Sequence, residues 1–228
     1  MAKGLFYGNS VLNLFRRMHA EGGAVLIVRH SERPSFDGIS IEEWDGVGLT
    51  ERGIEAAREF GAALAREGEG VPLCSYGWGL KRCLDTAEAI AAGAREGGSR
   101  ISGVRALHFR PPIADRSKYD AALGSGHWAE FVDDWLTGRD QDGALVPSRT
   151  FTAGFLRELS DCGLPGSKEI SLIVTHDLQI YPLVGFLTGI PIRKLDFLDG
   201  PVIKMDGQRV QVGFGDVIHT LGRKEVFG

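Results

Sequence analysis

The amino-acid sequence predicts an α/β fold, a three-layer α/β/α sandwich with a mostly parallel central sheet. Two observations carry this prediction. Short apolar runs alternate with longer segments of helical periodicity, and a chain of 228 residues with 43% hydrophobic and 25% charged residues is large enough to bury a full core. We expect a single domain over residues 1–228, because the sequence contains no internal repeat and no low-complexity tract.

Four apolar runs predict buried strands. A short, continuous apolar run is typical of a strand that helices cover on both faces. The runs are AVLIV from Ala24, VPLCSY from Val71, VRALHF from Val104 and ISLIVT from Ile170. Near the carboxyl terminus, alternating apolar residues flank Asp206-Gly207, which predicts a β-hairpin or an edge strand with its partner.

Helical periodicity fills the gaps between these strands. After Thr50, which suits an N-cap, one apolar stripe consists of Ile54, Ala57, Phe60, Gly61 and Leu64. The same spacing recurs at Leu80, Cys83, Leu84, Ala87 and Ile90. Two further helices, HWAEFVDDWL and TFTAGFLREL, are predicted between the third and fourth strands.

Two segments differ from this regular alternation. Residues 110–126 are rich in Pro, Gly and charge, which predicts an irregular loop or cap over one edge of the sheet. Residues 1–22 predict a helical extension docked on the domain, with a membrane-surface helix as the alternative. Its apolar stretch is too short and too polar for a secretory or membrane-spanning core, so we expect no integral membrane segment and a cytoplasmic location.

The overall charge limits the class of partner. A net charge of −4 and a pI near 5.9 provide no basic field for a nucleic-acid backbone, so we expect a small partner and no nucleic acid. The three cysteines are odd in number and match neither zinc-site nor disulfide spacing, which favours reduced thiols. The sequence carries no signal for the oligomeric state.

Cationic residues follow three of the predicted strands. The first strand ends in Arg29-His30, with Arg33 shortly after. The second leads through a glycine-containing turn to Arg82, and the fourth ends in His176-Asp177. Ligands of parallel sheets bind at the carboxyl ends of the strands, where these side chains would meet. Guanidinium groups match phosphate oxygens, and a neutral imidazole can attack phosphorus to form a phosphohistidine, so the pattern predicts a phosphoryl pocket that needs no metal or other cofactor.

Four motifs together identify a family. They are VRHSER from Val28, GLTERGIEAA from Gly48, LKRCLDTAEAI from Leu80 and IVTHDLQI from Ile173. In these motifs and their order the chain resembles the histidine phosphatase superfamily, also called phosphoglycerate mutase-like. The resemblance implies a phosphoglycerate mutase-like fold with His30 as the phosphorylated nucleophile. It also implies Arg29 and Arg82 as phosphate clamps and His176 as a second imidazole at the transferring group.

Two further features resemble the acid phosphatase and phytase branch of that superfamily. Arg33 lies three residues after the nucleophilic histidine, and the second histidine is followed by Asp rather than Gly. The resemblance implies that Arg33 binds phosphate and that Asp177 protonates the leaving-group oxygen. Asp177 also suits an N-cap. The mutase branch keeps its acid after the third strand, where Asp115 and Glu130 are the alternatives.

The departures from the family pattern concern the rest of the substrate. Ser31 replaces the usual glycine, and the chain is much shorter than typical acid phosphatases. We expect Ser31, Trp78, His108 and Arg110 around the substrate. The predicted function is hydrolysis of a small phosphorylated metabolite through a phosphohistidine. A phosphomutase of the same fold and a non-catalytic phospho-ligand binding module are the alternatives.

Overall fold

The computed structural model describes residues 7–18, 23–139, 142–162, 169–192, 194–206 and 208–227. Its strands are β1 (Ala24–Arg29), β2 (Leu73–Trp78), β3 (Ile101–Leu107), β4 (Ile170–Thr175), β5 (Val202–Asp206), β6 (Arg209–Phe214) and β7 (Val217–Gly222). Its helices are α1 (Asn9–Met18), α2 (Glu51–Glu67), α3 (Lys81–Glu96), α4 (Arg116–Gly124), α5 (Trp128–Thr137), α6 (Ser148–Asp161), α7 (Asp177–Thr188) and α8 (Arg223–Phe227), with a 3-10 helix at Ile41–Gly46. The strands of this described part form one sheet in the order β3-β2-β4-β1-β5-β6-β7.

One half of the sheet is parallel and consists of β3, β2, β4 and β1. β4 lies between β2 and β1, and all six of its residues are buried, as expected for a strand covered on both faces. β1 and β2 are buried except at their last residues, Arg29 and Trp78. The carboxyl ends of β2, β4 and β1 therefore lie side by side.

The apolar run from Val104 correctly predicts a strand, β3, but the prediction that this strand is buried is wrong. No residue of β3 is buried, and Val104 is 40% exposed. The reason is that β3 lies at the edge of the sheet and has a neighbouring strand on one side only.

The other half of the sheet is antiparallel. β5 pairs with β1 at Val25 and Leu26, and β6 pairs with β5, which confirms the predicted hairpin, although Gly207 lies outside the described residues. The sequence pattern does not predict β7, which pairs with β6, or the short helix α8. The predicted α/β fold with a mostly parallel sheet is confirmed, and three antiparallel strands extend it.

Helices cover both faces of the sheet, as the sequence predicts. On one face α1, α2 and α3 bury a core that includes Phe15, Phe60, Leu64 and Ile90. On the other face α5, α6 and α7 bury a core that includes Trp135, Phe155, Leu156 and Ile180. Between α2 and α3 the packing requires glycine, because a Cβ on Gly61 would lie 2.0 Å from the Ile90 carbonyl oxygen.

α2 begins where the sequence predicts, but one residue of its predicted apolar stripe faces solvent. The Thr50 side chain accepts a hydrogen bond from the Gly53 N–H at 2.9 Å, which confirms the predicted N-cap. Ile54, predicted to face the core, is 43% exposed. Gly53 takes the inward position instead, packed so closely on the loop after β1 that a Cβ there would lie 2.1 Å from the Glu32 carbonyl oxygen.

Residues 110–126 contain a helix that the sequence does not predict. α4 begins after Asp115, whose side chain accepts a hydrogen bond from the Lys118 N–H at 3.2 Å. None of its residues is buried, so it lacks the apolar stripe that signals a helix. The prediction of an irregular segment is therefore wrong over residues 116–124. The predicted helices α5 and α6 are confirmed.

α1 occupies part of the predicted amino-terminal extension. It packs on β6, where the side chains of Leu14 and Met18 lie against Gly213. Residues 1–6 and 19–22 of the extension lie outside the described part of the chain. Across the residues that are described, no helix combines the length and the apolar character needed to cross a membrane.

Candidate active site

His30 directly follows β1, and its side chain is buried in the site. It is 3% exposed, and its backbone N–H donates to the Thr175 carbonyl at the end of β4. Its Nδ1 lies 2.7 Å from the Ser31 carbonyl oxygen, which only accepts, so Nδ1 carries a proton and donates it. Burial lowers the pKa of His30 to about 3, and the positive charges of Arg82 and Arg29 add to the effect. The ring is therefore neutral at physiological pH, with its lone pair on Nε2.

His176 lies at the end of the adjacent strand, β4, and its ring centroid is 5.2 Å from that of His30. Trp78 at the end of β2 packs edge-on against it at 4.9 Å. On its other side, Nε2 of His176 lies 3.3 Å from the Cys83 sulfur. Burial and the nearby charge of Arg82 lower the pKa of His176 well below its ordinary value.

Backbone carbonyls hold two arginines beside these imidazoles. Nη1 of Arg29 donates to the Leu195 carbonyl at 2.5 Å, and Nη1 of Arg82, in the first turn of α3, donates to the Trp44 carbonyl at 2.7 Å. In both side chains Nε is buried and has no hydrogen-bond partner among the described residues. Buried donors of native structures are normally paired, so these N–H groups suit a ligand with several acceptor oxygens.

Arg33 completes the cationic group. Its guanidinium carbon lies 3.4 Å from the centroid of the Phe36 ring, and Nη1 donates to the Pro34 carbonyl at 2.6 Å. Burial, followed by the charges of Arg82 and Arg29, lowers the pKa of Arg33 to about 10, so it stays protonated at neutral pH. Three guanidinium groups around two neutral imidazoles give this site a strong preference for an anion.

Two carboxylates line the same cavity. Asp177 begins α7, where its Oδ1 accepts from the Leu178 N–H at 2.9 Å, and its Oδ2 lies 3.4 Å from Nη2 of Arg29. Asp45, in the 3-10 helix, is the other, and no sequence motif identifies it. The alternative acids lie elsewhere: Asp115 caps α4, and the exposed Glu130 pairs with His127.

The cavity has a volume of about 560 Å³. It brings together most of the predicted site residues, namely Arg29, His30, Arg33, Trp78, Arg82, His176 and Asp177. Three predicted pocket residues are not among those that line it. The Ser31 hydroxyl points away and donates to the Gly53 carbonyl at 2.7 Å, while His108 and Arg110 are exposed beyond the edge strand β3.

Several residues that the sequence reasoning does not select line the remainder of the cavity. They include Phe36, Ile41, Trp44, Asp45, Arg116, Tyr119, Leu123, Trp128 and Gln179. Most belong to the segment after β1 and to α4 and α5, which carry no catalytic motif. Only the aromatic content of these segments is visible in the sequence. Over the described residues, no three His, Cys, Asp or Glu side chains gather as a metal site.

Residues 25–108 match the family model described as "Histidine phosphatase superfamily (branch 1)". The matched segment contains Arg29, His30, Arg33 and Arg82. Over these residues the chain is similar to the histidine phosphatase superfamily. No curated protein sequence matches the chain.

Solved structures share the fold of this chain. A mycobacterial glucosyl-3-phosphoglycerate phosphatase in complex with VO3 is 16% identical, with coverage of 85% of this chain and 99% of that one and a TM-score of 0.57. A phosphoglycerate mutase from Bacillus anthracis is 15% identical, with coverage of 89% and 92% and a TM-score of 0.51. The protein named mycobacterial hydrolase 1 is 15% identical, with coverage of 89% and 97% and a TM-score of 0.52. These likenesses confirm the phosphoglycerate mutase-like fold.

The family match does not reach the second histidine. His176 and Asp177 lie beyond the matched segment, and the matching model is that of branch 1. The acid phosphatase-like features, Arg33 and Asp177, therefore stay predictions. The structural neighbours include both a phosphatase and a mutase. Hydrolysis at this site is accordingly a proposal, and it is argued from the geometry.

Proposed function

We propose that the chain hydrolyses phosphate monoesters of small metabolites through a phosphohistidine at His30. The observation that supports this most is the state of the His30 ring. Its Nδ1 proton is held by the Ser31 carbonyl and its pKa is lowered to about 3, so Nε2 is an available nucleophile at neutral pH. Three guanidinium groups in the same cavity suit the charge of a phosphoryl group.

In the first step, Arg29, Arg33 and Arg82 hold the non-bridging oxygens of the ester. Nε2 of His30 attacks phosphorus, and the phosphorus–oxygen bond to the alcohol breaks. Asp177, protonated at this stage, gives its proton to the leaving oxygen. The phosphorylated ring is cationic, and the hydrogen bond from Nδ1 to the Ser31 carbonyl stabilises that charge.

In the second step, water attacks phosphorus of the phosphohistidine. The Asp177 carboxylate accepts a proton from the water, and the phosphorus–nitrogen bond breaks. Inorganic phosphate leaves, and His30 and Asp177 return to their starting protonation states.

Hydrolysis is favoured over phosphomutase activity by the charges in the cavity. A mutase must retain an intermediate with two phosphate groups. Beyond the three guanidiniums at His30, the cationic side chain among the lining residues described is the exposed Arg116, whose Nε contacts Asp120 at 2.8 and 2.9 Å. The cavity thus offers one strong phosphate position.

The test is phosphate release from 4-nitrophenyl phosphate in the presence of a chelator. We expect chelator-resistant turnover by the wild type and a loss of roughly 10³-fold or more in His30→Ala, because the nucleophile is removed. His108→Ala, an exposed histidine outside the cavity, is the matched control and should retain wild-type activity. Rapid quenching of the wild type should trap an acid-labile, base-stable phosphoprotein that His30→Ala lacks.

Two results would replace the proposal. Isomerisation of a phosphorylated substrate without net phosphate release would identify a mutase. A folded wild type that binds phosphate but turns over none of a panel of monoesters would identify a binding module.

A further inference from the structure

The cavity is chemically divided. At one end lie the guanidiniums and imidazoles around His30. Five aromatic residues also line the cavity and are called the aromatic wall: Phe36, Trp44, Trp78, Tyr119 and Trp128. Of these, Phe36 and Trp78 adjoin the phosphate end, at Arg33 and His176. Aliphatic side chains fill the spaces between these rings, and they are Ile41, Leu80, Pro111, Pro112, Ile113, Leu123 and Leu178. A bound phosphate monoester would place its phosphate at the first end and its alcohol part against the wall.

Four of the five rings of the aromatic wall pack in two pairs. Phe36 and Trp44 stack at 4.2 Å with an angle of 6° between their planes. Tyr119 of α4 and Trp128 of α5 pack edge to face at 5.7 Å and 88°. Because the segment after β1, the end of β2, α4 and α5 all contribute rings, the wall is a surface assembled by the tertiary fold rather than the exposed side of one helix.

Two polar atoms of this wall, both indole nitrogens, are used within the protein. The indole N–H of Trp44 donates to the Ile39 carbonyl at 3.2 Å, and that of Trp78 donates to the Phe109 carbonyl at 3.0 Å. Burial raises the pKa of Tyr119 to about 12, so its hydroxyl stays neutral. The two indoles therefore offer carbon surface to a ligand, which favours apolar and stacking contacts.

The wall has few groups for the hydroxyls of a sugar. Among the described lining residues outside the phosphate end, the charged side chains are Asp45 and Arg116, and Nε of Arg116 contacts Asp120. Gln179 is a further polar lining residue, and its buried Oε1 has no hydrogen-bond partner among the described residues. Hydroxyl groups buried without partners weaken binding, and apolar groups against the same surface strengthen it. A polyhydroxylated alcohol is thus a poorer match for these rings than an apolar one.

We propose that the substrate is a phosphate monoester whose alcohol carries an aromatic ring close to the ester oxygen. This inference rests on the proposed function for turnover but makes its own claim about selectivity. The phosphate would bind at His30, and the ring would pack on the aromatic wall. Sugar phosphates and polyol phosphates would be poor substrates.

The decisive comparison uses 2-phenylethyl phosphate and glucose 6-phosphate. Both are esters of primary alcohols, so their leaving groups are similarly reactive and the difference reports the contacts of the alcohol part. We expect kcat/KM to be about 10²-fold higher for 2-phenylethyl phosphate. In Trp128→Ala this ratio should fall about tenfold, and Trp128→Phe should restore most of it. Phe186→Ala, which removes a 39% exposed aromatic residue outside this cavity, should leave the ratio unchanged.

The outcomes separate this inference from the proposed function. Turnover with a ratio near or below one, or a ratio that Trp128→Ala does not change, would overturn the selectivity and leave the phosphatase intact. Absence of turnover with every ester would overturn the phosphatase. In that case calorimetry with 3-phenylpropylphosphonate and methylphosphonate, neither of which can be hydrolysed, would decide the selectivity. Equal affinities for these two compounds would overturn it.

Discussion

The two ends of the cavity are built by different means. At the phosphate end, the side chains come from the ends of adjacent strands and the first turn of α3, and backbone carbonyls orient them: Ser31 for His30, Leu195 for Arg29 and Trp44 for Arg82. The aromatic wall comes mostly from the segment after β1 and from α4 and α5, whose rings orient one another. The chemistry is thus fixed by the sheet, whereas the selectivity depends on segments that are added to it.

The largest expected difference in kcat/KM is between the removal of Arg82, at the phosphate end, and the removal of Arg116, which belongs to α4. Arg82→Ala should lower kcat/KM by roughly 10³-fold, because a charge-assisted ligand of the transferring group is lost. Arg116→Ala should change it by less than about threefold, because Arg116 is exposed and paired with Asp120. Steady-state kinetics with 2-phenylethyl phosphate measure both. Equal losses would mean that the wall binds charge and that the division of the cavity is wrong.

The two carboxylates of the cavity provide a second, smaller contrast. Asp177→Asn should lower kcat about 10²-fold with 2-phenylethyl phosphate, whose alcohol needs a proton to leave. It should lower the rate of formation of the phosphohistidine much less with 4-nitrophenyl phosphate, because nitrophenolate leaves without one. Asp45→Asn is the control, with similar losses for both esters. If Asp45→Asn instead shows the dependence on the leaving group, Asp45 is the acid.

The same division explains how much of the site can be predicted from sequence. Arg29, His30, Arg82 and His176 follow strands that short apolar runs identify, and the parallel order of β2, β4 and β1 brings them together. His108 and Arg110 also follow a predicted strand, yet they lie outside the cavity. Strand β3 occupies the sheet edge, and the position of a strand in the sheet cannot be deduced from its own composition.

The aromatic wall is harder to predict because its position depends on tertiary contacts. Trp44 lies in the 3-10 helix, and its backbone carbonyl accepts a hydrogen bond from Arg82. This contact joins residues 38 positions apart in the chain. α4 buries no residue of its own and so lacks a helical pattern, although its Tyr119 lines the cavity. Ser31 shows the opposite case: it follows the nucleophile directly, but its hydroxyl binds Gly53 of α2 behind the site.

The smallest expected effect concerns the stability of the phosphate end in acid. His30 has a pKa of about 3 in the folded protein and an ordinary value near 6.5 when unfolded, so between these pH values the unfolded chain binds the extra proton. The free energy of unfolding should therefore decrease as the pH is lowered. For His30 alone the decrease is about 2 kcal/mol between pH 7 and pH 5. His176, whose pKa is also lowered by burial, acts in the same direction. Urea unfolding of the wild type and of His30→Asn at pH 7 and pH 5 measures the contribution of His30 to the free energy of unfolding.

The expected result is a weaker pH dependence in His30→Asn, because the substituted side chain no longer gains a proton on unfolding. His127→Asn is the matched control for the substitution itself, since His127 is exposed and is not among the residues that line the cavity. An unchanged slope in His30→Asn would mean that folding does not suppress protonation of His30. The nucleophile would then be cationic in mild acid, and activity would decline below about pH 6.5 rather than persist toward pH 5. A pH profile of 4-nitrophenyl phosphate turnover therefore tests the same property of the ring on which the proposed catalysis depends.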